Sequence, residues 1–292
     1  MVTETFPRTR RGMRTAGVVV GVLLRVAAVL LLGASVALGW QAAWSRFGVC
    51  FVGGDPPLAG LPEDSTLACY AVQDHLYDYD VPADPWVPIA DAAQREGLSL
   101  MALGVGVGLV ALSVAGRWYV RLLSVVGGAN FAAAMVGTGV PVLRSGLAGE
   151  PVGFGDWLAA SSLTFLTPLA TPALAVLATP ALAVLAWHRG GRDGRIVAVF
   201  WAAVTVAQPF PEFIISLFLW GSHDTSPLNG LLRCVAVAVA AVAVAVTLVP
   251  VERRSQIVPR PLRSIGRATV RALAAVAAKI EELDDRLSPN RR

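Results

Sequence analysis

Long apolar runs recur along this chain from Ala16 to Val251, and they restrict the fold more than any other feature. About 20 consecutive apolar residues suffice to cross a bilayer as a helix, and only helices or closed barrels satisfy their own backbone in lipid. Six such runs can be drawn: Ala16 to Trp40, Leu98 to Gly116, Leu122 to Leu143, Leu158 to Trp187, Ile196 to Trp220 and Leu231 to Val251. The expected fold is therefore an all-α integral membrane protein with about six transmembrane helices, the last five forming a bundle over residues 98–251. Only 15% of the residues are charged, against about 25% in soluble domains. The formal charge of +4 gives no reason to expect nucleic acid as a partner, because the arginines sit in short clusters beside the apolar runs. The partner this pattern does imply is the lipid bilayer.

Those clusters orient the chain. Residues 1–15 carry Arg8, Arg10, Arg11 and Arg14 against Glu4 alone, and read as a basic cytoplasmic terminus. Residues 41–97 carry nine acidic residues, among them Asp74, Asp78, Asp80 and Asp84, with only Arg46 and Arg95 opposing them. An arginine-poor loop next to an arginine-rich terminus lies outside. Trp40, Trp44, Trp157 and Trp220 then fall at outer ends and Trp118 and Trp187 at inner ends, as interfacial aromatics do. Both termini are thus expected in the cytoplasm of a bacterium, with the chain a multi-pass protein of its plasma membrane. The run 16–40 serves as the first span. Cleavage after Ala37, which would make 1–37 a signal peptide, is the alternative.

Cys50 and Cys69 are the two cysteines of the acidic loop. An oxidising exterior favours pairing them, and closing a loop of that length is worth about 3 kcal/mol in the chain-entropy view. The expected feature is a disulfide-stapled extracytoplasmic loop, a surface where a protein partner could dock. In the tail, 252–292, apolar residues from Thr269 to Leu287 recur at alternating steps of four and three. That predicts an amphipathic helix lying on the inner leaflet, or joining copies of the chain into a homo-oligomer.

The run 158–187 holds a perfect tandem octapeptide, TPALAVLA at 171–178 and again at 179–186. Thirty helical residues measure about 45 Å against a core of about 30 Å. The excess is read as a duplication absorbed by tilt and by kinks at Pro168, Pro172 and Pro180, with a hinged gating helix as the functional alternative. No catalytic group is expected there.

Polar residues inside spans are costly and mark candidate sites. Five stand out: Arg25, Asn130, Gln208, Glu212 and Arg233. Arg25 is expected to snorkel toward the inner headgroups. Pro209 and Pro211 remove two backbone donors beside Glu212, so the fifth run should be broken or strongly kinked there. A broken span next to a carboxylate is how many transporters build a site, whereas an ion pair between Glu212 and Arg233 is the structural alternative. His75, His188 and His223 lie outside the runs, and no HExxH, GxSxG, P-loop or CxxC is present. No catalytic residue, metal site or cofactor is therefore expected. The four aspartates of the loop lack the glycine and glutamate of a calcium loop. The sequence points first to a non-catalytic interaction or structural membrane protein, and second to a transporter or permease component using Glu212.

Overall fold

The computed structural model describes residues 8–51, 66–114, 118–153, 172–188, 191–219 and 224–249, with only the backbone described for 8–17, 172–174 and 191–192. Among these the regular structure is helical and contains no strand. Eight α-helices follow in order: α1 (Arg8–Phe47), α2 (Leu67–Val72), α3 (Ala92–Leu112), α4 (Trp118–Ala148), α5 (Pro172–His188), α6 (Gly191–Val206), α7 (Pro209–Leu219) and α8 (Leu231–Leu248). Four of them, α1, α3, α4 and α8, are long and apolar enough to cross a membrane, and α6 with α7 makes a fifth if the bent pair is one span. This is the architecture of an all-α multi-pass membrane protein. The fourth expected span is represented by the shorter apolar α5; the rest of that run, from 158 to 171, lies outside the described residues. So do the tail with its expected amphipathic helix and the first turns in the acidic loop.

Neighbour relations among the long helices close on themselves: α1 packs on α3, α3 on α4, α4 on α5, α5 on α6, α6 on α8, and α8 back on α1. Inside this ring lies a core built from Leu32, Leu103, Val107, Phe131, Met135, Trp201, Val204 and Val237, with Val244 toward one end. The tightest crossing joins α3 to α4. A Cβ on Gly97 would lie 2.6 Å from the Gly139 carbonyl oxygen, and one on Gly104 would lie 2.9 Å from the Met135 Cβ. Small residues let two backbones approach where lipid gives little drive for helices to associate. Two GxxxG pairs lie within the long apolar runs, Gly17 with Gly21 and Gly104 with Gly108: the latter two both face Ala132 across this crossing, whereas a Cβ on Gly21 would meet nothing within 4 Å among the described residues.

Helix α1 outruns its apolar run. It continues from Trp40 to Phe47 because Ala42, Ala43 and Phe47 have a second core to enter, shared with Tyr79, Ala92, Ala93, Val142 and Leu231. Helix α3 likewise begins at Ala92, ahead of the apolar stretch. Both margins of the acidic segment 41–97 are therefore helical, and residues 66–91 between them fold as a cap. Thr66 caps α2 by accepting the Cys69 N–H at 3.1 Å. Cys69 is fully buried and bonded to Cys50, so the staple read from the sequence is present.

The expected break in the fifth run is a bend of 79° between α6 and α7. Pro209 and Pro211 occupy the first turn of α7, where the missing N–H groups cost nothing. The bend turns Glu212 back toward the start of α8.

Candidate functional site

Three helices bring one charge each to a single buried point. Glu96 comes from the second turn of α3, Glu212 from the first turn of α7, and Arg233 from the first turn of α8; all three are at most 1% exposed. Arg233 Nη2 lies 2.6 Å from Glu96 Oε1, and Arg233 Nε lies 3.7 Å from Glu212 Oε2. The pair anticipated from the sequence, Glu212 with Arg233, is thus there, but the shorter contact belongs to Glu96. The contact to Glu212 is too long for a hydrogen bond and the one to Glu96 is not aligned as one, so among the described residues the guanidinium N–H groups have no aligned acceptor. The attraction is between charges rather than through directed bonds.

Glu212 has a second task. Its Oε1 accepts the backbone N–H of Gly230 at 2.6 Å and of Arg233 at 2.9 Å. These are donors that the start of a helix leaves without a partner, and a carboxylate there also meets the positive end of the helix dipole. Glu212 therefore caps α8 from another helix while facing the arginine that α8 carries. Gly230 makes this possible: its φ is +79°, and a Cβ on it would collide with the Tyr79 hydroxyl and lie 2.9 Å from the Ala43 Cβ.

Above the cluster sits the cap. Tyr79 is 1% exposed and its hydroxyl finds no hydrogen-bond partner among the described residues. Burial, then the nearby Glu96 charge, pushes its ionisation well above the ordinary tyrosine range. Asp80 accepts Asn229 Nδ2 at 3.0 Å. Arg46, at the end of α1 and 2% exposed, binds three parts of the cap at once: the Val72 carbonyl at 2.7 Å, the Asp74 carbonyl at 2.9 Å and the Asp78 carboxylate at 2.6 Å. Its guanidinium also lies 4.6 Å from the centre of the Phe47 ring. Asp78 accepts Thr225 Oγ1 at 3.0 Å as well. Burial and the like charge of Asp80 raise the Asp78 pKa, outweighing the pull of Arg46.

The remaining candidates lie elsewhere. Gln208, 2% exposed at the α6–α7 bend, donates to Thr179 Oγ1 at 2.8 Å, and Thr205 donates to the same oxygen at 3.0 Å. Thr179 opens the second octapeptide, so the duplication supplies the acceptor that a polar bend requires. Pro180 lies within α5. Asn130 is half-buried on α4, away from the charged cluster. Arg25 donates from Nε and Nη2 to the Ser113 hydroxyl and carbonyl, both at 3.2 Å, at the end of α3. In the cap, Asp74, His75 and Asp224 hold ligand-type atoms within 4.8 Å of one another. They are partly exposed, however, and two of these oxygens already accept the backbone N–H groups of Leu76 and His75. Asp78 and Asp80 face Arg46 and Asn229, which removes them from any shared cation site.

Sequence reasoning missed Glu96, Tyr79 and Thr179, and read Asp80 and Arg46 only as charges of the acidic loop. One signal was available for Glu96: it falls where a helix entering the membrane has its first turns, at the same depth from the acidic side as Arg233. Compared with known protein families, curated proteins and solved structures, the chain matches none.

Proposed function

We propose that this is a non-catalytic, multi-pass protein of the bacterial plasma membrane, with six spans and cytoplasmic termini, that presents its disulfide-tied outer cap to a protein partner. One observation carries the reading. The charged groups that could have done chemistry face inward and are spent on holding cap, bend and bundle together: Glu212 on the α8 terminus and Arg233, Glu96 on Arg233, Asp78 on Arg46, Asp80 on Asn229. Six spans are supported by the place of α5 in the ring of helices, which a five-span chain would leave open. An uncleaved first span is supported by Ala28, Leu32 and Ser35, all buried against neighbouring helices.

A transporter or permease component is the second reading, and a charge count favours it. Two carboxylates face one arginine, so a single proton would make the group neutral, and such groups are functional candidates at membrane depth. Proton flux into liposomes carrying the purified protein separates the two. On the first reading, flux does not depend on Glu212, and Glu212→Gln lowers stability. Flux abolished by Glu212→Gln in a protein as stable as wild type would transfer the conclusion to transport. The partner side is tested by a photo-crosslinking residue at Val81 or Val87, which are 62% and 44% exposed on the cap. A discrete protein adduct in native membranes is expected from these sites, and lipid adducts alone would count against a protein partner.

A further inference from the structure

At the end of the bundle away from the disulfide, a crevice opens between α1, α3, α6 and α8. Val110, Val197, Phe200, Trp201 and Val244 line it, and Arg25 stands at its rim. It encloses about 50 Å³, on the order of two water volumes. A small-molecule site usually needs roughly 300–1,000 Å³, so this is a narrow apolar seat rather than a chamber for a metabolite.

Arg25 differs from the other buried or half-buried arginines. Arg46 has Asp78, and Arg233 has Glu96 and Glu212. Among the described residues Arg25 has only neutral partners, the hydroxyl and carbonyl of Ser113, and its Nη1 bonds neither. A guanidinium offers five N–H donors in a planar fork suited to carboxylate or phosphate. Among the described residues this one keeps a free edge, has no matching negative charge, and adjoins an apolar slot.

Its depth identifies the anion. Trp40 and Trp44 stack on α1 at 6.0 Å and remain 45% and 41% exposed, as interfacial aromatics do. From Arg25 to Trp44 along one helix is 44 − 25 = 19 residues, or about 28 Å at ~1.5 Å per residue. That is close to one hydrocarbon thickness of ~30 Å. With the tryptophans at one interface, Arg25 lies at headgroup level of the opposite leaflet. An anion that reaches this depth with an apolar chain attached is a phospholipid.

We infer that Arg25 and the crevice beside it form a binding site for one anionic phospholipid, with the phosphate on the free edge of the guanidinium and an acyl segment against Phe200 and Trp201. The net negative headgroup matters because the amine of a zwitterionic lipid cancels the charge that Arg25 lacks. A single basic residue near a charged surface supports a preference of roughly fivefold. Such a site requires only that the chain spans a bilayer and does not depend on the role of the cap.

The test uses the full chain in uncharged detergent, with phosphatidylglycerol or phosphatidylcholine added to the micelles. Thermal unfolding is followed by tryptophan fluorescence, and native mass spectrometry counts retained lipid. Wild type is expected to gain several degrees from phosphatidylglycerol and little from phosphatidylcholine, and to retain one phosphatidylglycerol molecule preferentially. Arg25→Gln should lose the difference between lipids, and Arg25→Lys should keep most of it. Equal responses to the two lipids, or an undiminished preference in Arg25→Gln, would overturn the site. Stabilisation by inorganic phosphate alone would refute a lipid occupant. Loss of the effect on deleting residues 252–292, with Arg25 intact, would assign the lipid to the arginines of that tail and overturn the site. If Arg25→Gln does not fold, the wild-type lipid count decides, and no excess of phosphatidylglycerol overturns the proposal.

Discussion

Replacing Glu212 by Gln should destabilise the protein less than replacing Glu96, and the reason lies in how the two carboxylates share Arg233. The amide introduced by Glu212→Gln keeps an oxygen for the N–H groups of Gly230 and Arg233, at 2.6 and 2.9 Å in wild type. Those two bonds lose charge assistance, about 1 kcal/mol each, and the 3.7 Å contact to Arg233 loses its attraction. Glu96 still neutralises the arginine at 2.6 Å. The expected loss is about 2 to 3 kcal/mol. Glu96→Gln removes the closer partner and leaves Arg233 with a carboxylate already occupied by the helix terminus. A broken buried pair typically costs about 3 to 5 kcal/mol, so the loss should fall in that range. Arg233→Met strands two carboxylates and should be the most damaging single change. Adding Arg233→Met to Glu212→Gln should not restore stability, because Glu96 is then alone. Adding Glu96→Gln as the third change should recover most of it, since a buried ionic group replaced as a whole is often nearly neutral. Equilibrium unfolding in mixed detergent for the eight combinations measures every coupling term. Additive losses across the set would refute the three-charge network, and full recovery in the Glu212→Gln, Arg233→Met double mutant would exclude Glu96 from it.

Four further outcomes are expected. Mass mapping without reduction should find Cys50 linked to Cys69 and Cys234 as a thiol, and Cys50→Ser with Cys69→Ser should cost about 3 kcal/mol. Gly97→Ala, whose new carbon would lie 2.5 Å from the Leu143 nitrogen, should cost about 1 to 3 kcal/mol by forcing α3 and α4 apart; Gly21→Ala, which meets nothing, should not destabilise in the same assay. Because burial and Asp80 raise the Asp78 pKa in the fold, the folded state holds that proton more tightly than the unfolded chain. Its contribution is then complete below the ordinary aspartate value of about 3.9 and is lost as pH rises through the folded value. Wild type minus Asp78→Asn stability should fall with rising pH across that window, and a rise would mean that Arg46 dominates. Cysteines introduced at Ser65 and at Ser288 should react with impermeant reagent from opposite sides of the membrane, and reaction of both from one side would rule out six spans.

Read along the chain, hydropathy fixes where helices run and how deep each residue lies, because both depend on a one-dimensional count of apolar residues against a slab of known thickness. That is why the apolar helices, the cysteine pair and the broken fifth run could all be read from the residues alone. The same count placed Glu212 and Arg233 at similar depth and suggested their pairing. It could not place Glu96 beside them, since azimuth around a helix and the order of helices in a ring are set by packing, not by depth. Gly39 against Ser99 and Cys234 determines that α1, α3 and α8 converge. Only that convergence brings Glu96 to the arginine that the α6–α7 bend has already set against Glu212. The cap escaped the sequence for a related reason. Its order comes from Arg46, which looked like a stray charge in an acidic loop, and from a buried Tyr79 that has no periodic pattern to announce it. The sequence determined which parts of this protein meet lipid, and the tertiary structure alone decided which charges meet each other.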